Sequence, residues 1–371
     1  MDKKAMLCFW LTIFSSFTAC RDSDELPIPE TQEPVEDVVY DLTFPSRFGS
    51  PSIPDQNKLT QEGVGLGRAL FYEKRLSGDN TLSCGSCHQQ KRAFTDGKSL
   101  SVGVGGEISH RNAMSLANLA YNRSFNWDGA FASLEEQARF PIENPLEMNQ
   151  DMGEAVRELQ SIPAYPPMFR KAFGTSTITA DLVFKALGQF QRILVSSNSP
   201  FDLYREGKKG LPAEALEGYV LFLTHPNPDG RIRGGNCGDC HGSDLTTLQQ
   251  FHNNGLDLSF TDLGRGLVTG KTTDQGKFKA PTLRNIALTA PYMHDGRFKT
   301  LEEVLDHYNE HIRSGSPNLD PLIMEASNDY DGRSLGLTAE EKGKIIRFLH
   351  TLTDSTFIQE KRFSEKKVNP G

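Results

Sequence analysis

The chain has little of several things, and each shortage narrows its reading. Basic residues do not dominate: 40 Lys and Arg stand against 48 Asp and Glu, a formal charge of −8, which argues against nucleic acid as a partner. The apolar run from Ala5 to Phe17 is too short to span a bilayer comfortably. No convincing alternation of apolar and polar residues appears, so strands are not expected and the chain reads as mainly α. Cysteine is scarce, with six in 371 residues, and so is tryptophan, with two. Cys8 lies within the N-terminal apolar run and Cys20 just after it; the other four come as two pairs.

Those pairs organise the chain. Cys84-Gly85-Ser86-Cys87-His88 returns as Cys237-Gly238-Asp239-Cys240-His241. A Cys-x-x-Cys alone reads as half a zinc site, a redox pair or a haem c attachment site. Two pairs can also join in one all-cysteine zinc knuckle, but neither pair then needs a histidine in that place. The histidine after the second cysteine decides for haem c: two thiols form thioethers and the next imidazole faces the iron. Two covalent haem c groups are expected, on Cys84, Cys87 and His88 and on Cys237, Cys240 and His241, and no disulfide framework is left.

Lys3 and Lys4 ahead of the apolar run make residues 1–20 an export signal. Phe17-Thr18-Ala19-Cys20 resembles a bacterial lipobox, with Cys20 lipidated; the alternative is an ordinary signal that leaves Cys20 as a spare thiol. The expected location is the periplasmic side of a bacterial membrane, held by a lipid anchor. Residues 21–40 are acidic, carry Pro27, Pro29 and Pro34, and read as a tether.

The remainder divides into units at 41–205 and 206–371, one per haem. A weak repeat supports this division: Glu62 to Phe71 precedes the first motif as Glu217 to Phe222 precedes the second, each resembling a helix that leads into a haem-binding loop. With 37% hydrophobic residues and 23 Phe, two cores can be filled. Ser133-x-x-Glu136, Thr300-x-x-Glu303 and Thr338-x-x-Glu341 predict capping boxes at helix starts. Leu182, Val183, Ala186, Phe190, Ile193 and Leu194 form one helical stripe, and Ile345, Phe348, Leu349 and Leu352 form another.

Further segments carry a family resemblance. Trp127-Asp128-Gly129, Glu135-Glu136-Gln137, Asn144-Pro145-Leu146-Glu147-Met148, Ala280-Pro281-Thr282-Leu283-Arg284-Asn285 and Ala290-Pro291-Tyr292-Met293-His294-Asp295-Gly296, in order with both haem motifs, resemble the bacterial di-haem cytochrome c peroxidase and MauG family from about Leu59 to Leu352. The resemblance implies two cytochrome c-like domains with long haem-wrapping loops. It makes the His88 haem peroxidatic, with Glu147 as distal acid-base carboxylate, Gln137 as the amide beside it and Trp127 between the haems. Read without the family, Glu147 is a solvated loop acid, Gln137 a solvent-facing helix residue and Trp127 a core side chain.

Reductively activated members carry a ligating histidine in a loop that matches Ser101 to Gly105, where this chain has Val104. Valine cannot ligate, so the His88 haem is expected to be open at its distal face in the oxidised protein; His110 is the substitute, with a structural role favoured. On the second haem, Leu301, Val304, Leu305, Tyr308 and Ile312 share one face of the helix opened by Thr300, which turns Tyr308 inward as a MauG-type axial ligand. Its alternatives are a core tyrosine, or Met293 or Met324 as the ligand. The resemblance further implies one calcium ion, held by the Asn112 side chain and the carbonyls of Thr289 and Pro291.

The expected activity is reduction of hydrogen peroxide to water with electrons from a small periplasmic donor such as a cytochrome c. Two rivals stand beside it: a MauG-like enzyme that oxidises residues of a protein partner, and a di-haem electron carrier without catalysis. A homodimer is implied by analogy with the family alone.

Overall fold

A computed structural model describes residues 38–329 and 334–366. The expected export signal, Cys20 and most of the tether lie outside the described residues. Helices α1 (Gln61–Phe71), α2 (Cys84–Cys87), α3 (Leu134–Glu143), α4 (Met152–Ser161), α5 (Tyr165–Phe173) and α6 (Ala180–Arg192) come first. After them follow α7 (Pro200–Arg205), α8 (Ala213–Leu223), α9 (Gly238–His241), α10 (Arg265–Thr269), α11 (Leu301–Asp306), α12 (Pro321–Glu325) and α13 (Ala339–His350). Among the described residues the one sheet is a two-residue pair, β1 (Phe251–His252) antiparallel to β2 (Phe278–Lys279), with His252 opposite Phe278. The fold is therefore mainly helical, and no helix among the described residues is long and apolar enough to cross a membrane.

Two hydrophobic cores form. The first is built on α1 and α6, with Leu70, Phe71, Leu187 and Phe190 buried; the second on α8 and α13, with Phe222, Ile345, Phe348 and Leu352. Each helix pair crosses through a glycine. A Cβ on Gly67 would strike the Ala186 carbonyl and lie 2.9 Å from Phe190 Cβ; one on Gly218 would strike the Lys344 carbonyl and lie 2.9 Å from the Ile345 nitrogen. Only glycine lets two backbones approach that closely. The same device stands on the helix before each Cys-x-x-Cys-His motif, which gives the weak sequence repeat its physical content.

Capping follows the sequence in most respects. Thr300 with Glu303 and Thr338 with Glu341 form reciprocal boxes. At Ser133 only half of the box is present: Ser133 accepts from the Glu136 amide at 3.1 Å, while the Glu136 carboxylate reaches past it to the amide of Ala132. Both predicted stripes are buried, apart from Leu182, which is half-buried.

The chain after α13 returns to the first core, where Phe357 and Phe363 meet Phe94 at ring distances of 5.5 and 6.5 Å. Phe357 and Phe363 of the expected 206–371 unit thus pack into the core of the other. Arg284, from the Ala280 to Asn285 motif, is fully buried and pairs with the fully buried Asp202 of α7 through two bonds of 2.8 Å. Arg47 adds a third contact to Asp202 at 2.6 Å. A buried pair of this kind specifies register more than it stabilises, but removing one partner is costly.

Candidate functional site

Each motif is a single helical turn. In α2 the Ser86 hydroxyl accepts from the Ser83 amide at 3.0 Å and the His88 amide closes onto the Cys84 carbonyl at 2.8 Å. In α9 the His241 amide closes onto Cys237 at the same 2.8 Å. One turn puts both thiols on one side with the imidazole at its end. All four thiols are unpaired. Burial pushes Cys84 and Cys237 up to about 12.

Both histidines are oriented for a metal. His88 Nδ1 lies 2.8 Å from the Phe94 carbonyl, and His241 Nδ1 lies 3.1 Å from that of Pro281. A carbonyl accepts, so the ring proton sits on Nδ1 and Nε2 keeps its lone pair. Burial lowers both pKa values, that of His241 to about 4, so both rings are neutral at neutral pH. The two motifs open onto one cavity of about 1280 Å³. A pocket for one small ligand holds about 300–1,000 Å³; this one exceeds that range and has a thiol pair and a free imidazole nitrogen at each of two places. The residues present fit two haem c groups.

Around the first motif, Glu147 and Gln137 both border the cavity. Glu147 is half-buried. Burial raises its pKa, against an opposing hydrogen bond from the Asn144 amide to Oε1 at 2.8 Å. Its charge is felt at both Cys84 and Cys87. Gln137 donates through Nε2 to Asn126 Oδ1 at 3.3 Å.

The loop that matches the family's ligating-histidine segment touches the cavity with Ser101, Val102 and Gly103. Val104 is one step further on, and its amide donates to the Glu147 carbonyl at 2.8 Å. Gly103 lies so close that a Cβ would meet the Glu147 carbonyl oxygen at 2.6 Å. The loop therefore fixes the backbone of the carboxylate instead of presenting a ligand. His110 is exposed at the cavity margin.

Between the motifs, Trp127 donates through Nε1 to the Asn112 carbonyl at 2.9 Å and accepts at its own carbonyl from the Lys279 amide at 2.7 Å. It so joins the first half of the chain to β2. The Asn112 amide donates to the His294 carbonyl at 2.7 Å, and Asn112 Nδ2 donates to the Lys98 carbonyl at 2.8 Å, which leaves Oδ1 as the atom available to a cation. Thr289 and Pro291 border the same cavity as Asn112. Among the described residues no cluster of three or more His, Cys, Asp or Glu is placed to hold a metal ion. Any cation here would rest on neutral oxygens.

At the second motif, α11 changes to a π-helical turn over His307–His311. The extra residue in that turn leaves His307 and Asn309 buried on either side of Tyr308. Leu301, Val304, Leu305, Tyr308 and Ile312 all border the cavity, as their shared face predicts. Burial pushes Tyr308 up to about 12, opposed by a hydrogen bond that Asn254 Nδ2 donates to its Oη at 3.2 Å. Met293 also borders the cavity, with its sulfur 3.5 Å from the same Nδ2. Met324 is 54% exposed, which makes it the poorest of the three as an enclosed ligand.

Sequence reading missed three neighbours. Asn254 bonds Tyr308 across 54 residues of chain. His252 pairs with Asp320 at 2.6 Å. Lys279 is 4% exposed, donates to the Ser124 carbonyl at 2.6 Å, and is pulled down to about 8 by burial. The segment Phe251-His252-Asn253-Asn254 lies between the second motif and the Ala280 to Asn285 motif, and this position was the one available signal.

The family model for di-haem cytochrome c peroxidase matches residues 61–210. Over 314 residues the chain is 38% identical to the methylamine utilization protein MauG of Methylorubrum extorquens, which covers 83% of each chain. It is 33% identical to the cytochrome c551 peroxidase of Nitrosomonas europaea, over 78% of this chain and 79% of that one. Among solved structures, a MauG-like protein associated with microbial copper homeostasis has a TM-score of 0.80 at 35% identity and covers 88% of this chain and 99% of its own.

Proposed function

The chain belongs to the di-haem cytochrome c peroxidase and MauG family, with two cytochrome c domains and two haem c groups, and from that premise we propose that it reduces hydrogen peroxide to water with electrons from a small donor protein. When bound, haem supplies the redox chemistry, peroxide cleavage where an axial position is open and electron transfer where both are filled. Cys84, Cys87 and His88 hold the first group, and Cys237, Cys240 and His241 the second.

Glu147 takes the proton from the attacking oxygen of hydrogen peroxide and returns it to the departing one. Two electrons and two further protons complete two waters. Burial suits Glu147 to both halves of that task, because a raised pKa brings the carboxyl closer to the working pH. Asn144 holds Oε1, which leaves Oε2 for the substrate. Gln137, anchored by Asn126, orients the peroxide through its remaining carbonyl oxygen. Neither Val102, Val104 nor the exposed His110 closes the distal face. Trp127, fixed at both its indole nitrogen and its carbonyl, stands on the path between the two halves.

The observation that carries this reading is a half-buried carboxylate of raised pKa, bordering the same cavity as His88. Steady-state peroxide turnover with a reduced cytochrome tests it. The Glu147→Gln variant is expected to lose about 10²–10⁴-fold in kcat/KM, the usual worth of a positioned acid-base group. A variant as active as the parent sinks the assignment, and a parent with no turnover at all sinks the peroxidase reading.

Tyr308 favours a second reading. A phenol that borders the cavity and accepts a hydrogen bond from Asn254, the one influence that favours its ionised form against burial, is placed to serve as an axial ligand, and a phenolate there lowers a haem's potential and stabilises a higher oxidation state. On this reading the oxidising power is spent on residues of a protein partner, in the manner of a MauG enzyme. Peroxide-dependent oxidation of a co-purifying protein, with no turnover of a cytochrome donor, distinguishes the two.

The same proposal includes a calcium ion on Asn112 Oδ1 and the carbonyls of Thr289 and Pro291, supported by the spent amide of Asn112. Unchanged haem spectra and no released calcium after chelation would exclude it. It also places the protein on the periplasmic side of a membrane through lipidated Cys20, which a Cys20→Ala variant still found in membranes would contradict. A homodimer follows from analogy alone, and light scattering decides it.

A further inference from the structure

His252 lies on β1 with its side chain 9% exposed, and it borders the cavity shared by the two motifs. Its Nδ1 lies 2.6 Å from Asp320 Oδ2. A carboxylate accepts, so Nδ1 carries a proton. Asp320 is itself fixed: its Oδ1 accepts from the Leu322 amide at 3.0 Å at the start of α12, and its own amide donates to the Asn253 carbonyl at 3.1 Å. The ring is thus held from its backbone, which pairs with Phe278, and from its Nδ1.

The other nitrogen is the unusual one. Nε2 is buried and has no hydrogen-bond partner among the described residues. A buried polar nitrogen left alone is costly, and native folds rarely keep one unless a ligand or water satisfies it. The pair belongs to the second motif. Two residues on from His252, Asn254 bonds Tyr308, and two residues before it the Gln250 carbonyl accepts from the Ala280 amide, next to the Pro281 carbonyl that orients His241.

A haem offers two kinds of polar partner, its iron and its two propionate carboxylates. His241 and, on the reading above, Tyr308 would hold the second iron, and both border the cavity with their orienting partners Pro281 and Asn254. The propionates remain. An imidazole that already gives its Nδ1 proton to Asp320 and keeps a buried, unpartnered Nε2 beside the cavity is placed to bridge that carboxylate and a second one through a charge-assisted hydrogen bond.

We propose that His252, clamped by Asp320, is a positioning residue for the haem on His241, donating from Nε2 to a propionate of that haem and holding its reduction potential up. A positive charge at the haem edge offsets the propionate and favours the reduced iron. The proposal rests on the haem at His241 and not on whether the enzyme acts on peroxide with a cytochrome donor or on a protein partner.

The test is a spectroelectrochemical titration of the complete two-haem protein, with haem content measured by pyridine haemochromogen and the propionate-bending band followed by resonance Raman. In His252→Gln the midpoint potential of the second haem is expected to fall while that of the first stays, with a shifted propionate band and both haems still attached. Asp320→Asn, which releases the clamp on the ring, should shift the propionate band, and His252→Lys, which keeps a cation, should restore part of the fall. A fully loaded His252→Gln protein with an unchanged second potential overturns the proposal, as does loss of the second haem's low-spin signal, which would make His252 an iron ligand. Should His252→Gln fail to load haem, an unchanged propionate band in a fully loaded Asp320→Asn protein overturns it equally.

Discussion

Replacing Glu147 by glutamine exchanges one carboxylate oxygen for an amide nitrogen and keeps the size and shape of the side chain. The amide oxygen can still accept from Asn144 Nδ2 at 2.8 Å, the Glu147 amide keeps its bond to the Asn144 carbonyl at 3.0 Å, and the Val104 amide keeps its hold on the Glu147 carbonyl at 2.8 Å. Geometry is preserved, so any loss of rate reports proton transfer. A loss of about 10²–10⁴-fold corresponds to about 2.7–5.4 kcal/mol in transition-state stabilisation, at about 1.36 kcal/mol per tenfold. Stability should move the other way. Burial raises the folded-state pKa of Glu147, so the contribution of this group is fully present below the unfolded pKa of about 4.3 and is lost as pH rises through the folded value. As pH rises above that value the parent must ionise a carboxyl whose charge burial disfavours, and the variant carries no such group. The variant should unfold at higher urea concentration at pH 7, with the difference vanishing near pH 4. Stopped-flow peroxide kinetics and urea titrations followed by circular dichroism, on samples of equal haem content, measure both. A variant within threefold of parental activity, or one less stable than the parent at pH 7, refutes the assignment of Glu147 as a half-buried acid-base group. In the parent, kcat/KM should fall as pH drops through the raised pKa, and the variant should lose that dependence.

Tyr308→Phe removes the phenol oxygen from the second site and should convert that haem's spectrum while leaving the first unaltered; an unchanged spectrum excludes Tyr308 as a ligand. Arg284→Ala strips a fully buried carboxylate of its bidentate partner, a loss worth about 3–5 kcal/mol. Because Arg47 keeps a 2.6 Å contact to Asp202, the lower end, about 3 kcal/mol, is expected in chemical denaturation.

The parts of this protein that were legible in its sequence are those specified locally. A Cys-x-x-Cys-His pentapeptide carries its own helical turn, a Thr-x-x-Glu carries its own cap, and a stripe such as Val183, Ala186 and Phe190 carries its own buried face. Even the face of Leu301, Val304, Leu305, Tyr308 and Ile312 survives a change to a π turn, because all five still border one cavity. What could not be read is specified by partners distant in the chain. The His252 and Asp320 pair spans 68 residues, and neither residue has a neighbour that hints at the other. Phe357 and Phe363 follow the last predicted stripe in a stretch without a pattern of its own, yet they complete the core around Phe94 in the other half. The Ser133 box is half-formed because Glu136 has a second amide within reach, a competition that spacing does not reveal. Val104 lies one step beyond the cavity because Gly103 draws the loop onto the Glu147 backbone.

The central claim is that two alike motifs hold unlike haems, with the iron on His88 open and the iron on His241 closed by Tyr308. Electron paramagnetic resonance of the fully oxidised protein tests it most directly. One high-spin and one low-spin ferric signal in equal amounts is the predicted result; two low-spin signals with no high-spin component would contradict it.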